Sequence, residues 1–256
     1  MGTYSESEYF IYDGINSLDF GIYNVKTSAG LFEEKFLPTR SIVEEKTFGR
    51  PEPYFYGFEY TPAEIPLSFY FADSWDQAKI KKVCEWFFQS YYKPLAFETD
   101  LSRVFYVAYQ GDPNLFHNGL KEGYVEISMR ANSPFSFTPV IEKSVYVSNG
   151  ETKEIEIENI GSLNCFPIIT INKIGDGDVT ITNLSNGGQQ AKITGLLDKE
   201  TVTIDGENED VETNLPNVYR YNNYNNVFIE LVKGVNRLTI TGESIVTFSY
   251  QCKRLI

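Results

Sequence analysis

The amino-acid composition changes abruptly near Asn132-Ser133-Pro134-Phe135, and this boundary constrains the fold more than any single motif does. Of the 39 aromatic residues, 31 lie before residue 139, including both tryptophans and 16 of the 19 phenylalanines. The remaining 118 residues hold eight aromatics and are rich in Thr, Ile, Asn and Gly. A chain of 256 residues also reaches the size at which a single hydrophobic core stops growing. We therefore predict two domains, residues 1–138 and 139–256.

Residues 27–57 form a distinct segment in which prolines and glycines separate short apolar pieces. The apolar periodicity of this segment is too irregular for a core element, but its large apolar side chains are too many for a free loop. An arm that projects and packs on a neighbouring molecule satisfies both observations. An arm that folds back on its own sheet remains the alternative. The candidate interface residues of the arm are Leu31, Phe32, Phe36, Leu37, Ile42, Val43 and Phe48.

One helix is predicted in the first domain, at about residues 74–91. Ser74 is a suitable N-cap residue, with Gln77 three residues further on. Apolar residues then recur at intervals of three and four positions, at Ile80, Val83, Cys84, Phe87 and Phe88. The runs on either side alternate as strands do, so we expect a β-rich domain with this helix packed on one face of its sheet.

The second domain is predicted to be an antiparallel β-sandwich. Short apolar runs follow one another about ten residues apart, separated by turn sequences rich in Gly, Asn and Asp. The tyrosines of the segment 219–226 stand out, because exposed tyrosine rings and asparagine amides are common in protein and sugar recognition. Tyr219, Tyr221 and Tyr224 are therefore candidate contacts for a partner or a glycan, and a plain polar loop is the alternative.

The charge and motif content excludes several classes of function. The net charge is −13 and no basic cluster stands out, which disfavours nucleic-acid binding. No apolar stretch approaches the roughly 18 residues of a membrane helix, and we expect no signal peptide, because the N-terminal sequence lacks a basic region followed by an apolar run. No phosphate-binding or nucleophile-elbow motif occurs.

Candidate catalytic and metal-binding residues are also few. His117 is the single histidine, and the three cysteines are too far apart in sequence for a zinc or redox motif. The acidic residues Asp176, Asp178 and the segment 205–212 do not follow the pattern of a calcium loop and are predicted to be solvated turns. We expect no enzyme activity, no metal and no cofactor.

The order of these elements resembles that of the distal tail protein of siphoviruses, the bacteriophages with long non-contractile tails. The resemblance rests on the proline-rich arm, the helix region with Trp75 and Trp86, and the run 132–137. In the second half it rests on a galectin-like series of segments, at residues 157–161, 166–171, 202–205 and 231–238.

The resemblance implies a structural virion protein. Such a protein forms a ring, commonly of six subunits, that joins the tail tube to the tail-tip or host-adhesion apparatus and leaves a channel for DNA. It implies as partners the tail tube protein, a tail-associated hub protein and a receptor-binding protein, with assembly in the bacterial cytoplasm and residence in the phage tail. The alternative is a carbohydrate-binding protein that recognises cell-wall glycans through its second domain.

Overall fold

A computed structural model describes residues 6–25 and 37–255. By its internal contacts the chain divides into two compact units, Met1–Ser136 with Leu255–Ile256, and Phe137–Arg254. The main division lies two residues before the boundary expected after residue 138. No helix in the described parts of the chain is long and apolar enough to cross a membrane.

Strands make up most of the first unit. Up to residue 137, the described chain contains ten strands and one α-helix: β1 Phe10–Tyr12, β2 Ile15–Asn16, β3 Ile22–Asn24, β4 Arg40–Glu45, β5 Tyr54–Tyr60, β6 Glu64–Phe71, α1 Gln77–Phe87, β7 Lys93–Phe97, β8 Asp100–His117, β9 Gly123–Ala131 and β10 Ser136–Phe137. Seven of the strands form an antiparallel series in the order β2-β1-β7-β8-β9-β6-β3. Strand β6 shows the sequence origin of this sheet, because alternate residues face the core, at Ile65, Leu67, Phe69 and Phe71.

The helix α1 begins at Gln77 because Asp76, rather than Ser74, is its N-cap residue. The Asp76 carboxylate accepts a hydrogen bond of 2.7 Å from the backbone N–H of Lys79. The helix ends at Phe87, so the predicted range is too long at both ends.

The buried face of α1 is aromatic and closes over the sheet. The indole N–H of Trp86 donates a hydrogen bond of 3.0 Å to the carbonyl of Tyr12, and the Trp86 ring stacks on Phe10 with 5.8 Å between centroids. The ring of Phe87 stacks on those of Tyr12 and Phe69 at 5.4 and 5.5 Å. These aromatic residues thus belong to one core, in which the helix covers strands β1 and β6.

The second unit is a two-layer antiparallel sandwich. After residue 137 the strands are β11 Ile141–Val147, β12 Thr152–Asn159, β13 Ile168–Lys173, β14 Gly177–Asn183, β15 Gln189–Leu196, β16 Thr201–Asp205, β17 Asp210–Thr213, β18 Gly234–Thr241, β19 Ser244–Tyr250 and β20 Lys253–Arg254. One sheet has the order β11-β19-β13-β16-β17, and the other has the order β12-β18-β14-β15. Their inward-facing residues, mostly aliphatic, form a single core. The predicted mainly β fold, with one packed helix and a sandwich, is confirmed.

We expect Trp86→Ala to destabilise the first unit by about 3–5 kcal/mol, because it removes a large buried ring and leaves a cavity. Urea unfolding followed by tryptophan fluorescence measures this, since the remaining tryptophan, Trp75, also lies in the first unit. The control is Leu120→Ala, whose side chain is 72% exposed and whose loss is expected to cost within about 0.5 kcal/mol. Equal decreases in the free energy of unfolding of the two variants would contradict the packing described for α1.

Candidate interaction surfaces

The strands β4 and β5 form a two-stranded sheet that is separate from the larger sheet of the first unit. Every residue of β4 is exposed, and in β5 all are exposed but Gly57, which is partly covered. An isolated two-stranded hairpin is at best marginally stable in water. The described part of the predicted arm is therefore a hairpin whose strands do not fold back on the sheet.

One face of this hairpin carries a cluster of apolar side chains. Ile42 lies directly opposite Phe58, and the ring of Phe55 meets the ring of Phe58 edge-on at 5.2 Å. The guanidinium of Arg40 lies 4.0 Å from the centroid of the Phe58 ring, which is a cation–π contact. At the turn between the strands, Phe48 is fully exposed. Water thus reaches several large apolar groups at once.

The predicted interface residues divide into two sets. Four lie in the described chain and are exposed, with Leu37 at 58%, Ile42 at 60%, Val43 at 42% and Phe48 at 105%. The other three lie outside the described residues: Leu31, Phe32 and Phe36. Single exposed apolar residues are ordinary on a protein surface, whereas a contiguous group marks an interaction site.

Two of the three candidate tyrosines are exposed, and the third belongs to the core. Tyr219 and Tyr221 are 82% and 45% exposed, whereas Tyr224 is 5% exposed. The hydroxyl of Tyr224 donates to the carbonyl of Val227, and its ring meets Phe228 edge-on at 5.3 Å. Burial raises the pKa of Tyr224. The prediction of Tyr224 as a partner or glycan contact is therefore wrong.

Tyr221 is also engaged within the unit. Its hydroxyl donates a hydrogen bond to the carboxylate of Asp210, and this bond raises the pKa of Tyr221. A ring held in this way retains its exposed face, but its hydroxyl is occupied. Of the three candidates, Tyr219 has the most accessible side chain.

A buried ion pair holds this tyrosine segment against the sandwich. The Arg220 guanidinium donates two hydrogen bonds to the Glu200 carboxylate, at 2.7 and 2.5 Å, and the two side chains are 8% and 0% exposed. Glu200 also accepts hydrogen bonds from the Thr213 hydroxyl and the Leu197 backbone N–H, at 2.7 and 2.9 Å. Burial raises the pKa of Glu200, but these hydrogen bonds outweigh it and hold the pKa below its ordinary value.

Sequence reasoning missed this pair, although a signal was present. Arg220 is the one basic residue between Asn214 and Asn226, and it stands between two tyrosines. An arginine flanked by residues suited to packing is a candidate for a buried bidentate contact. Its partner Glu200 lies twenty residues earlier in the chain, so no local pattern connects them.

The candidate catalytic and metal-binding residues make ring contacts and turn hydrogen bonds within the fold. His117 ends strand β8, where its ring meets Trp75 edge-on at 6.0 Å. The Asp205 carboxylate accepts hydrogen bonds from the backbone N–H groups of Glu207 and Asn208, as turn-forming aspartates do. Among residues 6–25 and 37–255 there is no group of three or more His, Cys, Asp or Glu side chains that could hold a metal ion.

The sequence matches two family models that together span most of the chain. Residues 5–133 match a model described as a phage tail protein N-terminal domain, and residues 139–250 match a model described as a phage tail C-terminal domain. The chain is 32% identical over 250 residues to the SPbeta prophage-derived uncharacterized protein YomH of Bacillus subtilis (strain 168). That match covers 98% of this chain and 99% of YomH.

Solved structures from phages share the fold. The SPP1 Dit (gp 19.1) protein, described as a paradigm of the hub adsorption apparatus in phages that infect Gram-positive bacteria, superposes with a TM-score of 0.67 at 13% identity. This match covers 95% of the present chain and 98% of that one. A chain of the phage P2 baseplate, in its activated conformation with Ca, gives a TM-score of 0.58 at 10% identity, covering 96% and 97%.

We expect Arg220→Leu to destabilise the second unit by about 3–5 kcal/mol, because the substitution leaves the Glu200 carboxylate buried without its charged partner. The matched control is Arg237→Leu, which breaks the exposed ion pair with Glu156, at 3.2 Å, and is expected to cost less than about 1 kcal/mol. Calorimetric unfolding of the two variants measures the difference. Equal decreases in the free energy of unfolding of the two variants would show that the Arg220 pair does not hold the segment 219–226 against the sandwich.

The Arg220 pair also predicts a pH dependence. The pKa of Glu200 lies below its ordinary value of 4.5, so its contribution to stability is present above that pH and is lost as the pH falls through the folded-state pKa. The stability advantage of the wild-type chain over Arg220→Leu should shrink on acidification, because the unpaired Glu200 of the variant takes up a proton at a higher pH than the paired Glu200 of the wild type. An advantage that grows on acidification would contradict the direction of this shift.

Proposed function

The chain belongs to a family of phage tail proteins, and from this premise we propose that it forms a ring, of six subunits, at the distal end of a siphovirus tail tube. As a tail protein, it is a structural component of the virion. In the proposed ring, the first unit builds the interface between subunits. The ring joins the tube to the tail-tip or host-adhesion apparatus.

One observation carries the proposal: the hairpin β4–β5 exposes a contiguous group of large apolar side chains. Its two strands include Ile42, Phe55 and Phe58 on one face, and none of these is buried. Burying such a group stabilises an assembly by roughly 25 cal/mol for each Å² of apolar surface removed from water. A ring supplies a neighbouring subunit to cover it.

The proposed partners follow from the position of such a ring. The tail tube protein would lie on one side, and a tail-associated hub protein, with a receptor-binding protein, on the other. The fold shared with SPP1 Dit, whose description names a hub adsorption apparatus, supports this placement. The protein would be assembled in the bacterial cytoplasm and act in the tail tip.

The charge of the chain suits a ring with a channel for DNA. The net charge is −13, and neither half contains a basic cluster. Exposed carboxylates repel phosphates, so DNA would pass such a channel without being held. This role requires no catalysis and no cofactor.

The carbohydrate-binding alternative retains less support than the ring. Its three-tyrosine surface is reduced to Tyr219 and Tyr221, because Tyr224 is buried and the Tyr221 hydroxyl is engaged by Asp210. Sugar recognition normally combines exposed rings with available polar groups. Binding to cell-wall polysaccharide by a stable monomer would revive this alternative.

We expect the wild-type chain to sediment as a closed oligomer and the double variant Ile42→Ser, Phe58→Ser to sediment as a folded monomer. Both side chains are exposed in the single chain, so their replacement should leave its fold and melting temperature unchanged. The control is Tyr219→Ser, an equally drastic change on a surface that the ring does not require. A wild-type chain that stays monomeric at all concentrations would contradict the proposal.

A further inference from the structure

An apolar groove of about 550 Å³ lies between α1 and the sheet of the first unit. Its described walls come from β6, α1, β8 and β9, together with Phe88 just after the helix. Phe88 and Leu115 are 74% and 38% exposed, and Cys84 is exposed on the helix wall. An open apolar groove of this kind is a typical binding surface.

The hairpin β4–β5 is a separate feature of the same unit. None of the described residues that line the groove belongs to it. Pockets of roughly 300–1,000 Å³ enclose small ligands, so this groove has room for a few side chains of a narrow element but not for a whole domain. The apolar face formed by Ile42, Phe55 and Phe58 presents side chains on such an element.

The charges beside the two surfaces are also complementary. The helix α1 carries three lysines and one glutamate, whereas the strands β4 and β5 carry one arginine and three glutamates. Glu85 belongs to the groove wall, and Lys81 lies beside it, with its ammonium 3.7 Å from the Glu85 carboxylate in an exposed ion pair. Glu44 lies opposite Phe55 and is exposed beside the apolar residues, whereas Glu59 lies opposite Ser41 on the other face of the hairpin. The opposite net charges of the helix and the hairpin favour this pairing over contact between two copies of the same element.

We propose that the hairpin β4–β5 of a second copy of this chain inserts its apolar face into the groove beside α1. The hairpin and the groove are different surfaces of one chain, so the contact is head-to-tail, and such a contact forms a ring when its rotation closes. The inference rests on the proposed ring assembly and identifies the surface that receives the hairpin.

Cross-linking between two distinguishable copies tests this contact. One copy carries Ile42→Cys with Cys84→Ala and an affinity tag, and the other keeps the native Cys84 without a tag. The remaining cysteines, Cys165 and Cys252, are buried and should stay unreactive. A short bis-maleimide is expected to join position 42 of the tagged copy to Cys84 of the untagged one. The matched control, Ser41→Cys, lies on the other face of the same strand and should react far less.

The outcomes separate this inference from the ring proposal. A cross-linked product between copies, with the joined peptides identified by mass spectrometry, supports the inference. An assembly that forms without this product overturns the inference but leaves the ring standing. A product within one chain, obtained when Ile42→Cys and Cys84 are in the same copy, with none between copies, also overturns it. A chain that never assembles overturns both.

A double-mutant cycle provides a second test without cysteine chemistry. Ile42→Ala and Phe88→Ala should each raise the concentration at which half of the chains are assembled, by about fivefold or more. If the two side chains meet across the interface, the double variant should raise it by less than the product of the single effects. The control pair is Phe88→Ala with Glu52→Ala at the distant hairpin tip, and its two effects should multiply fully. Full multiplication of the Ile42→Ala and Phe88→Ala effects would overturn the contact.

Discussion

The hairpin β4–β5 exposes an apolar face that the chain alone does not bury. A two-stranded ribbon cannot bury its own side chains, because both of its faces remain open to water. Here one face carries Ile42, Phe55 and Phe58, and all three are exposed in the single chain. A sequence can keep such a surface only where another molecule covers it for much of the protein's lifetime, or where aggregation is otherwise prevented.

The rest of the first unit is organised around the helix α1. Trp86 and Phe87 hold α1 against strands β1 and β6, which are second from either end of the seven-strand series. The next residues along the exposed side of the helix, Cys84 and Phe88, are left outside this core. The same helix thus closes a core with one face and forms the wall of an open groove with another. Packing of the first face fixes the geometry of the second.

Much of the architecture could be predicted from the sequence, because it depends on local periodicity. Alternation in β6 and the helical spacing through Val83 and Phe87 specify their elements directly. The exposure of Ile42 and Phe48 was also predictable, since apolar residues in an irregular, proline-rich segment have no regular core to enter. These are properties of short stretches of chain.

Predictions from the sequence failed mainly where contacts between distant residues determine burial and pairing. Tyr224 appears in the same polar segment as Tyr219, but the tertiary fold turns its ring into the core beside Phe228. The Arg220 pair with Glu200 joins residues that no local pattern connects. The helix start is a local case, because Ser74 and Asp76 are both suitable N-cap residues and it is Asp76 that accepts the hydrogen bond from the amide of Lys79. The burial of Tyr224 and the pairing of Arg220 depend on the tertiary fold, which sequence composition does not reveal.

Hydrogen exchange at the backbone amides of β4 and β5 measures whether assembly buries the hairpin. In dilute solution, where the chain is monomeric, the amides of Arg40–Glu45 and Tyr54–Tyr60 should exchange rapidly, because an isolated hairpin opens readily. At concentrations where the chain is assembled, the same amides should become protected, while those of the sandwich core stay unchanged. Rapid exchange of the hairpin in a fully assembled sample would contradict the claim that assembly buries it.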